Sequence, residues 1–239
     1  MAPRTLCLLV ATLAGAPVGA QTGEDLAPAP PDTTAGTYGT SAALALVLTE
    51  DGLGAAAAAR TRLTDDLSFV IETALGAARD EREQRFFVGF FGETVTPLKR
   101  NYAVLLPLHV GVEWRLFRRQ VEDNFRPFVS ATTGPTLALQ WPYFDDVDGD
   151  GRRDSGEERL GPVRGFTEAQ PRLGLGGTLA VGAAVGRTGR AVQSLRFGFT
   201  GHVFPARVDL LELDPAVESP SRRTFWTPVV SFHVVRLLR

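Results

Sequence analysis

The chain has one cysteine, one methionine and only three tryptophans in 239 residues. The cysteine, Cys7, lies in an N-terminal stretch that reads as an export signal, so the mature chain would have no disulfide framework and no thiol chemistry. Strong charge of either sign is also missing. The 25 Lys and Arg against 27 Asp and Glu leave a formal net charge of −2, which gives no reason to expect nucleic acid. After the N-terminal segment no run of 18 strongly apolar residues follows, which excludes a transmembrane helix; Ala42 to Leu48 and Ala55 to Ala59 are far too short. Mean hydropathy is near zero. A soluble protein has that average, and so does a membrane β-barrel, in which apolar-out and polar-in cancel.

The start of the chain carries the parts of a secretory signal: Arg4, an apolar core from Leu6 to Ala14, and small residues Val18-Gly19-Ala20 before Gln21. Residues 1–20 are thus expected to be removed on export. Residues 21–37, rich in Pro, Ala, Thr and acidic side chains, are expected to form a flexible periplasmic leader. Residues 38–239 remain for a single β domain.

That domain is two-faced. In Asn101 to Phe117 the even positions are Tyr102, Val104, Leu106, Leu108, Val110, Val112, Trp114 and Leu116, while the odd positions include Pro107, His109, Gly111, Glu113 and Arg115. An extended chain sends alternate side chains to opposite faces, so one face is hydrocarbon and the other small or charged. The bracketing aromatics Tyr102 and Trp114 would stand about 28 Å apart at ~3.3 Å per residue and ~45° tilt, close to the apolar height of a membrane barrel. The same code recurs. Leu137, Leu139 and Trp141 oppose Arg126, Ser130, Thr136 and Gln140; Leu195, Phe197 and Phe199 oppose Ser194, Arg196 and His202; Trp226, Val230 and Phe232 oppose Thr227, Ser231 and His233.

Eight strands are expected near 40–49, 55–63, 66–78, 101–117, 125–140, 169–185, 193–205 and 224–236. After the first hairpin every second connector is long: near 79–100, 141–168 and 206–223. Short turns on one side and long loops on the other suit an outer-membrane barrel with both termini in the periplasm. Residues 85–96 read either as a hairpin in an outer loop or as an extension of the third strand. The fold expectation is all-β: an eight-stranded antiparallel up-and-down transmembrane β-barrel. A soluble secreted β-barrel is the alternative, but its water-facing side would carry more Lys, Glu and Asp than the small, hydroxylated face seen here.

This pattern resembles the small outer-membrane β-barrel families of Gram-negative bacteria, the OmpA-, OmpX- and OmpW-like group. The phrase Asp123-Asn124-Phe125-Arg126-Pro127-Phe128, followed by Thr133-Gly134-Pro135, is similar to uncharacterised members. The resemblance implies an outer-membrane location, a lipid bilayer as surroundings, the barrel assembly machinery as a partner, and a monomer. Such barrels often end in an aromatic residue; here Phe232 is the last aromatic and Val235-Arg236-Leu237-Leu238-Arg239 follows.

An eight-stranded interior is only wide enough for its own side chains, so an open pore is not expected. The inward set comprises Arg60, Arg62, Glu72, His109, Glu113, Arg115, Arg126, Arg172, Arg196, His202 and His233. Buried charges must be paired, and Glu72 and Glu113 are expected to bridge several arginines. The histidines sit on separate strands, so they read as hydrogen-bonding lumen fill, with a metal role as the rival reading. Ser231 and His233 share the inward face, and no serine has a nucleophile-elbow setting. A non-enzyme is expected, with a lipid-modifying activity as an alternative.

The sharpest motif is Asp146-Val147-Asp148-Gly149-Asp150-Gly151-Arg152-Arg153-Asp154-Ser155-Gly156-Glu157, a full D-x-D-x-D-G-x5-E calcium loop. Ca²⁺ takes six to eight oxygens at ~2.3–2.6 Å. Asp146, Asp148 and Asp150 would supply carboxylates, Arg152 its carbonyl, Asp154 a water-bridged contact and Glu157 two oxygens. The loop resembles EF-hand-like loops but lacks flanking helices. A structural Ca²⁺ stiffening an outer loop is expected. The functional expectation is a structural, adhesive or surface-binding role, with passage of small hydrophobic molecules as the main rival.

Overall fold

The computed structural model describes residues 40–237 apart from 81, 84–85, 89–92, 119, 122–123, 155, 187–191 and 213–220. The expected signal and leader lie outside the described residues. Among the described residues there are ten strands: β1 Ser41–Thr49, β2 Gly52–Arg62, β3 Leu67–Ala78, β4 Phe86–Val88, β5 Glu93–Val95, β6 Asn101–Arg115, β7 Phe125–Pro142, β8 Gln170–Val185, β9 Val192–Asp209 and β10 Ser221–Leu237. Eight of them close into a ring in the order β1-β10-β9-β8-β7-β6-β3-β2. Every neighbour is antiparallel, and closure comes from β1 and β10, whose register runs from Ser41 opposite Leu237 to Thr49 opposite Val229. The expected up-and-down barrel is the observed fold. The ambiguous 85–96 segment contains the small separate hairpin β4–β5 and adds no strand to the ring.

The period-two pattern sets which way each side chain points. On β6, Leu108, Val110, Val112 and Trp114 are exposed on the outer surface, while His109 is buried inside. Leu44, Leu46 and Leu48 on β1, Leu173, Leu175 and Leu179 on β8, and Leu195, Phe197 and Phe199 on β9 are likewise exposed. At the short-turn end the aromatics Phe69, Trp114, Phe117 and Phe125, on or beside the adjacent strands β3, β6 and β7, are exposed.

Strand ends moved where local signals were weak. β2 begins at Gly52, ahead of the Ala-rich stretch, β9 runs on to Asp209 and β10 starts at Ser221, so the loop expected at 206–223 is shorter. Trp141 is a larger correction. Its parity is outward as expected, but it is buried, stacked on Tyr102 (centroids 5.8 Å) and covered edge-on by Phe166 (5.2 Å) from the 3-10 turn Arg164–Glu168. The wall height is uneven. β1, β2 and β3 have 9, 11 and 12 residues, whereas β7 and β9 have 18 each. The rim is therefore low where the two-residue turn Glu50–Asp51 joins β1 to β2.

Prolines interrupt the ladders near mid-barrel. The β3–β6 pairing skips from Thr73–Leu108 to Gly76–Leu105, and the β6–β7 pairing skips from Pro107–Thr136 to Val110–Thr133. Pro107 and Pro135 fall in or beside these breaks, and each lacks the N–H that a ladder bond needs.

Candidate functional site

The interior is layered along the barrel axis. Near the short-turn end an ion network crosses the lumen. Arg196 on β9 donates from Nη2 to Glu113 Oε2 (2.7 Å) and from Nη1 to Glu72 Oε2 (3.3 Å); Arg60 on β2 donates from Nε to the same Glu113 oxygen (3.1 Å). Glu72 also accepts the Thr132 hydroxyl at 2.6 Å. The Arg196 guanidinium lies 5.2 Å from the Phe128 ring centre. Glu113 bridges Arg60 and Arg196 as expected, whereas Glu72 binds one of the arginines, Arg196, together with Thr132.

Above this layer sits a histidine pair. Thr136 Oγ1 lies 3.0 Å from His202 Nδ1 and 3.4 Å from His109 Nε2, and the two rings are 5.8 Å apart. The room comes from Gly176: a Cβ there would lie 2.3 Å from His202 Nδ1 and 2.6 Å from Thr136 Oγ1. His233 is separate, with Nε2 2.9 Å from Ser231 Oγ. Its Nδ1 has no hydrogen-bond partner among the described residues, so no third group orients the ring as a nucleophile relay requires. All three histidines border a cavity of about 120 Å³ on the low side of the wall, where Ala56, Ala58, Ala74 and Gly76 face inward.

The long-loop end is closed by hydrocarbon and by backbone. Leu105, Ala138, Phe204, Val208, Leu210 and Phe225 form a buried cluster. Over it, the segment leading into β6 pairs with the segment leaving β9, although the two strands are not neighbours in the ring. Arg100 N donates to Leu210 O (2.9 Å), Glu212 N to Leu98 O (2.8 Å) and Asn101 Nδ2 to Asp209 O (2.6 Å). Lys99 is buried here against Glu83 at 2.8 Å. None of this crossing was legible in the sequence, because it depends on the ring order.

The acidic loop is a compact turn between the β7 and β8 ends, pinned by the Phe144–Arg159 bridge. Carboxylate oxygens of Asp146, Asp148 and Glu157 lie within 4.8 Å of one another. Two oxygens on one Ca²⁺ can be at most about 5 Å apart. Asp146 accepts the N–H groups of Gly149 (2.9 Å) and Gly151 (3.0 Å), and Glu157 accepts those of Val147 (2.9 Å) and Asp154 (3.0 Å). Gly149 and Gly151 take φ values of +76° and +74°, in the left-handed region that favours glycine. Asp150 and Asp154 are not in this carboxylate cluster; Asp150 Oδ1 accepts the Arg152 N–H at 2.7 Å. Two neighbours were not foreseen. Arg100 lies against Gly151, where a Cβ would come within 2.8 Å of its guanidinium. Glu212, its pKa raised by burial, faces Arg153, Arg152 and Asp150.

No family model and no curated protein matches the chain. Among solved structures it is similar to the N-terminal β-barrel domain of Pseudomonas aeruginosa OprF, at 10% identity and a TM-score of 0.37 over 84% of this chain and 98% of that one. It is also similar to Neisserial surface protein A, at 12% identity and a TM-score of 0.37 over 82% of this chain and 92% of that one.

Proposed function

We propose that this chain is an outer-membrane β-barrel with a structural, adhesive or surface-binding role, closed to free diffusion and carrying a Ca²⁺-stiffened outer loop. The observation that carries this reading is the inversion of polarity. A continuous belt of exposed Leu, Val, Phe and Trp surrounds a lumen filled by Arg, Glu and His. Monomeric soluble proteins rarely expose contiguous apolar patches beyond a few hundred Å², whereas lipid is the natural solvent for such a belt. The exposed aromatics on the β3–β6–β7 side of the short-turn end support an interface there. The loop's support is the complete ligand spacing together with three carboxylates already within one ion's reach. Fractionation with outer membranes and heat-modifiable migration in detergent gels test the location; recovery of a soluble, heat-insensitive species contradicts it.

The cavity beside the low wall favours a second reading, sideways passage of small hydrophobic molecules. Uptake of such molecules by cells expressing the chain, lost on replacing Ala74 with a bulky Phe, would support it.

A further inference from the structure

The cavity of about 120 Å³ has two unlike sides. From β2 and β3 come Ala56, Ala58, Ala74 and Gly76; from β9 and β10 come Thr200, Ser231 and His233. A Cβ added at Gly76 would meet no atom within 4 Å, so that wall stands back from the rest of the interior. Protein interiors leave few voids larger than a water molecule. An eight-stranded barrel is just wide enough for its own side chains or for one small ligand. The alanines of β2 leave open a space that Arg, Glu and His occupy at other levels of the lumen.

His233 supplies the polar point of this lining. It is 3% exposed. Its Nε2 is taken by Ser231 Oγ at 2.9 Å, whereas Nδ1 is buried with no hydrogen-bond partner among the described residues. A buried polar atom left unpaired carries the full cost of losing its water. The other polar groups nearby are engaged. Thr200 Oγ1 lies 3.1 Å from Thr178 Oγ1. Glu72 is held by Arg196 and Thr132. Arg196, whose Nε also lacks a partner, gives Nη1 and Nη2 to Glu72 and Glu113.

We infer that this cavity binds one small neutral molecule with a single-ring apolar body and one hydroxyl, a phenol in the simplest case. The hydroxyl pairs with His233 Nδ1, and the ring lies against Ala56, Ala58, Ala74 and Gly76. An apolar cavity of about 150 Å³ takes benzene, which sets the size of the body. A hydroxyl suits Nδ1 in either tautomer, since it donates to a bare ring nitrogen and accepts from an N–H. A ketone only accepts and an ammonium only donates. A hollow that is mostly apolar, with a few placed polar groups, is the usual form of a small-molecule site. Thr49 and Asp51 on the low rim also line the cavity. Entry is therefore from the long-loop side, and occupancy does not depend on sideways passage through the wall.

The test uses the full chain in lipid nanodiscs, with uptake by empty nanodiscs subtracted. Phenol is titrated beside toluene, which has the same shape without the hydroxyl, and beside benzoate, which would seek Arg196. Phenol should bind saturably and move the NMR signals of the His233 ring. Toluene should bind about tenfold more weakly, the scale of leaving a buried polar atom unpaired. His233→Phe should weaken phenol by the same factor and spare toluene. Gly76→Leu puts a side chain into the open space and should abolish binding of both. Phenol bound no tighter than toluene, benzoate bound tighter than phenol, or phenol binding undiminished in Gly76→Leu overturns the inference. None of these results touches the membrane location, which fractionation reads separately.

Discussion

Arg196 Nη2 donates to Glu113 Oε2 at 2.7 Å, joining β9 to β6 across the lumen, although neither strand borders the other in the ring. The bond ties two non-neighbouring walls of the barrel near its short-turn end. Breaking a buried pair by removing one partner leaves an uncompensated charge, at a cost of about 3–5 kcal/mol. Glu113→Gln affects both Arg60 and Arg196, so it should lower unfolding stability in detergent by that order. Glu72→Gln should cost less, because Arg196 keeps Glu113. Denaturant titration checks both, and a Glu113→Gln effect below about 0.5 kcal/mol, the surface range, would mean that the network carries little.

Opposite parities should tolerate opposite changes. Leu108→Arg puts a cation on the exposed apolar face, at about 2–4 kcal/mol at the bilayer midplane, and should block assembly. Inward parity alone would let Leu105 tolerate Gln better than Leu108 tolerates Arg. Its burial in the cluster with Phe204 and Phe225 narrows that tolerance, because Gln would place an amide in hydrocarbon. Leu105→Met keeps volume and polarity and should assemble normally. Yield of heat-modifiable barrel from outer membranes measures all three.

The acidic loop should bind calcium in the ~10⁻⁴–10⁻³ M range usual for extracellular modules. Calcium should slow proteolysis between residues 143 and 169. Asp148→Ala and Glu157→Gln should remove that protection, since both contribute to the carboxylate cluster. Gly151→Ala should also weaken the loop, because φ is +74° and the new Cβ would press on Arg100. Proteolysis rates unchanged by calcium would remove the metal from the account of the loop.

Asp51, on the low rim, has its pKa raised to about 6 by burial and then by Glu50, against the opposing pull of Arg79. A carboxyl with a higher pKa in the fold than in the unfolded chain favours folding while protonated. Its contribution is complete below about pH 4 and is lost as pH climbs through 6. Asp51→Asn should therefore flatten the stability profile between pH 4 and 6 and be the more stable protein at pH 7. Melting temperatures across that range give the answer; a parallel profile in the variant would rule Asp51 out as the cause.

Sidedness was legible because it needs only a period of two. Leu108 against His109, or Phe197 against Arg196, reads directly from neighbouring letters. Glu72 and Glu113 could be foreseen as partners because they are acidic residues among several arginines at inward positions. What could not be read depends on contacts distant in sequence. Trp141 looks like a lipid-facing aromatic until the turn carrying Phe166 folds over it. Leu210 looks like loop until ring order brings it beside Arg100. Arg60 and Ser194 border one cavity although β2 and β9 are not neighbours in the ring.

The chain's three tryptophans offer the most direct test of where its apolar face lies. Single-tryptophan versions, with the other two changed to Phe, are reconstituted in vesicles whose acyl chains carry bromine. Trp114 and Trp226, 59% and 67% exposed on the outer surface, should be quenched by bromine and shielded from aqueous iodide. Trp141, 6% exposed beneath Phe166, should respond weakly to both. Strong iodide quenching of Trp114 and Trp226 without any effect of bromine would place that face in water and contradict the membrane reading.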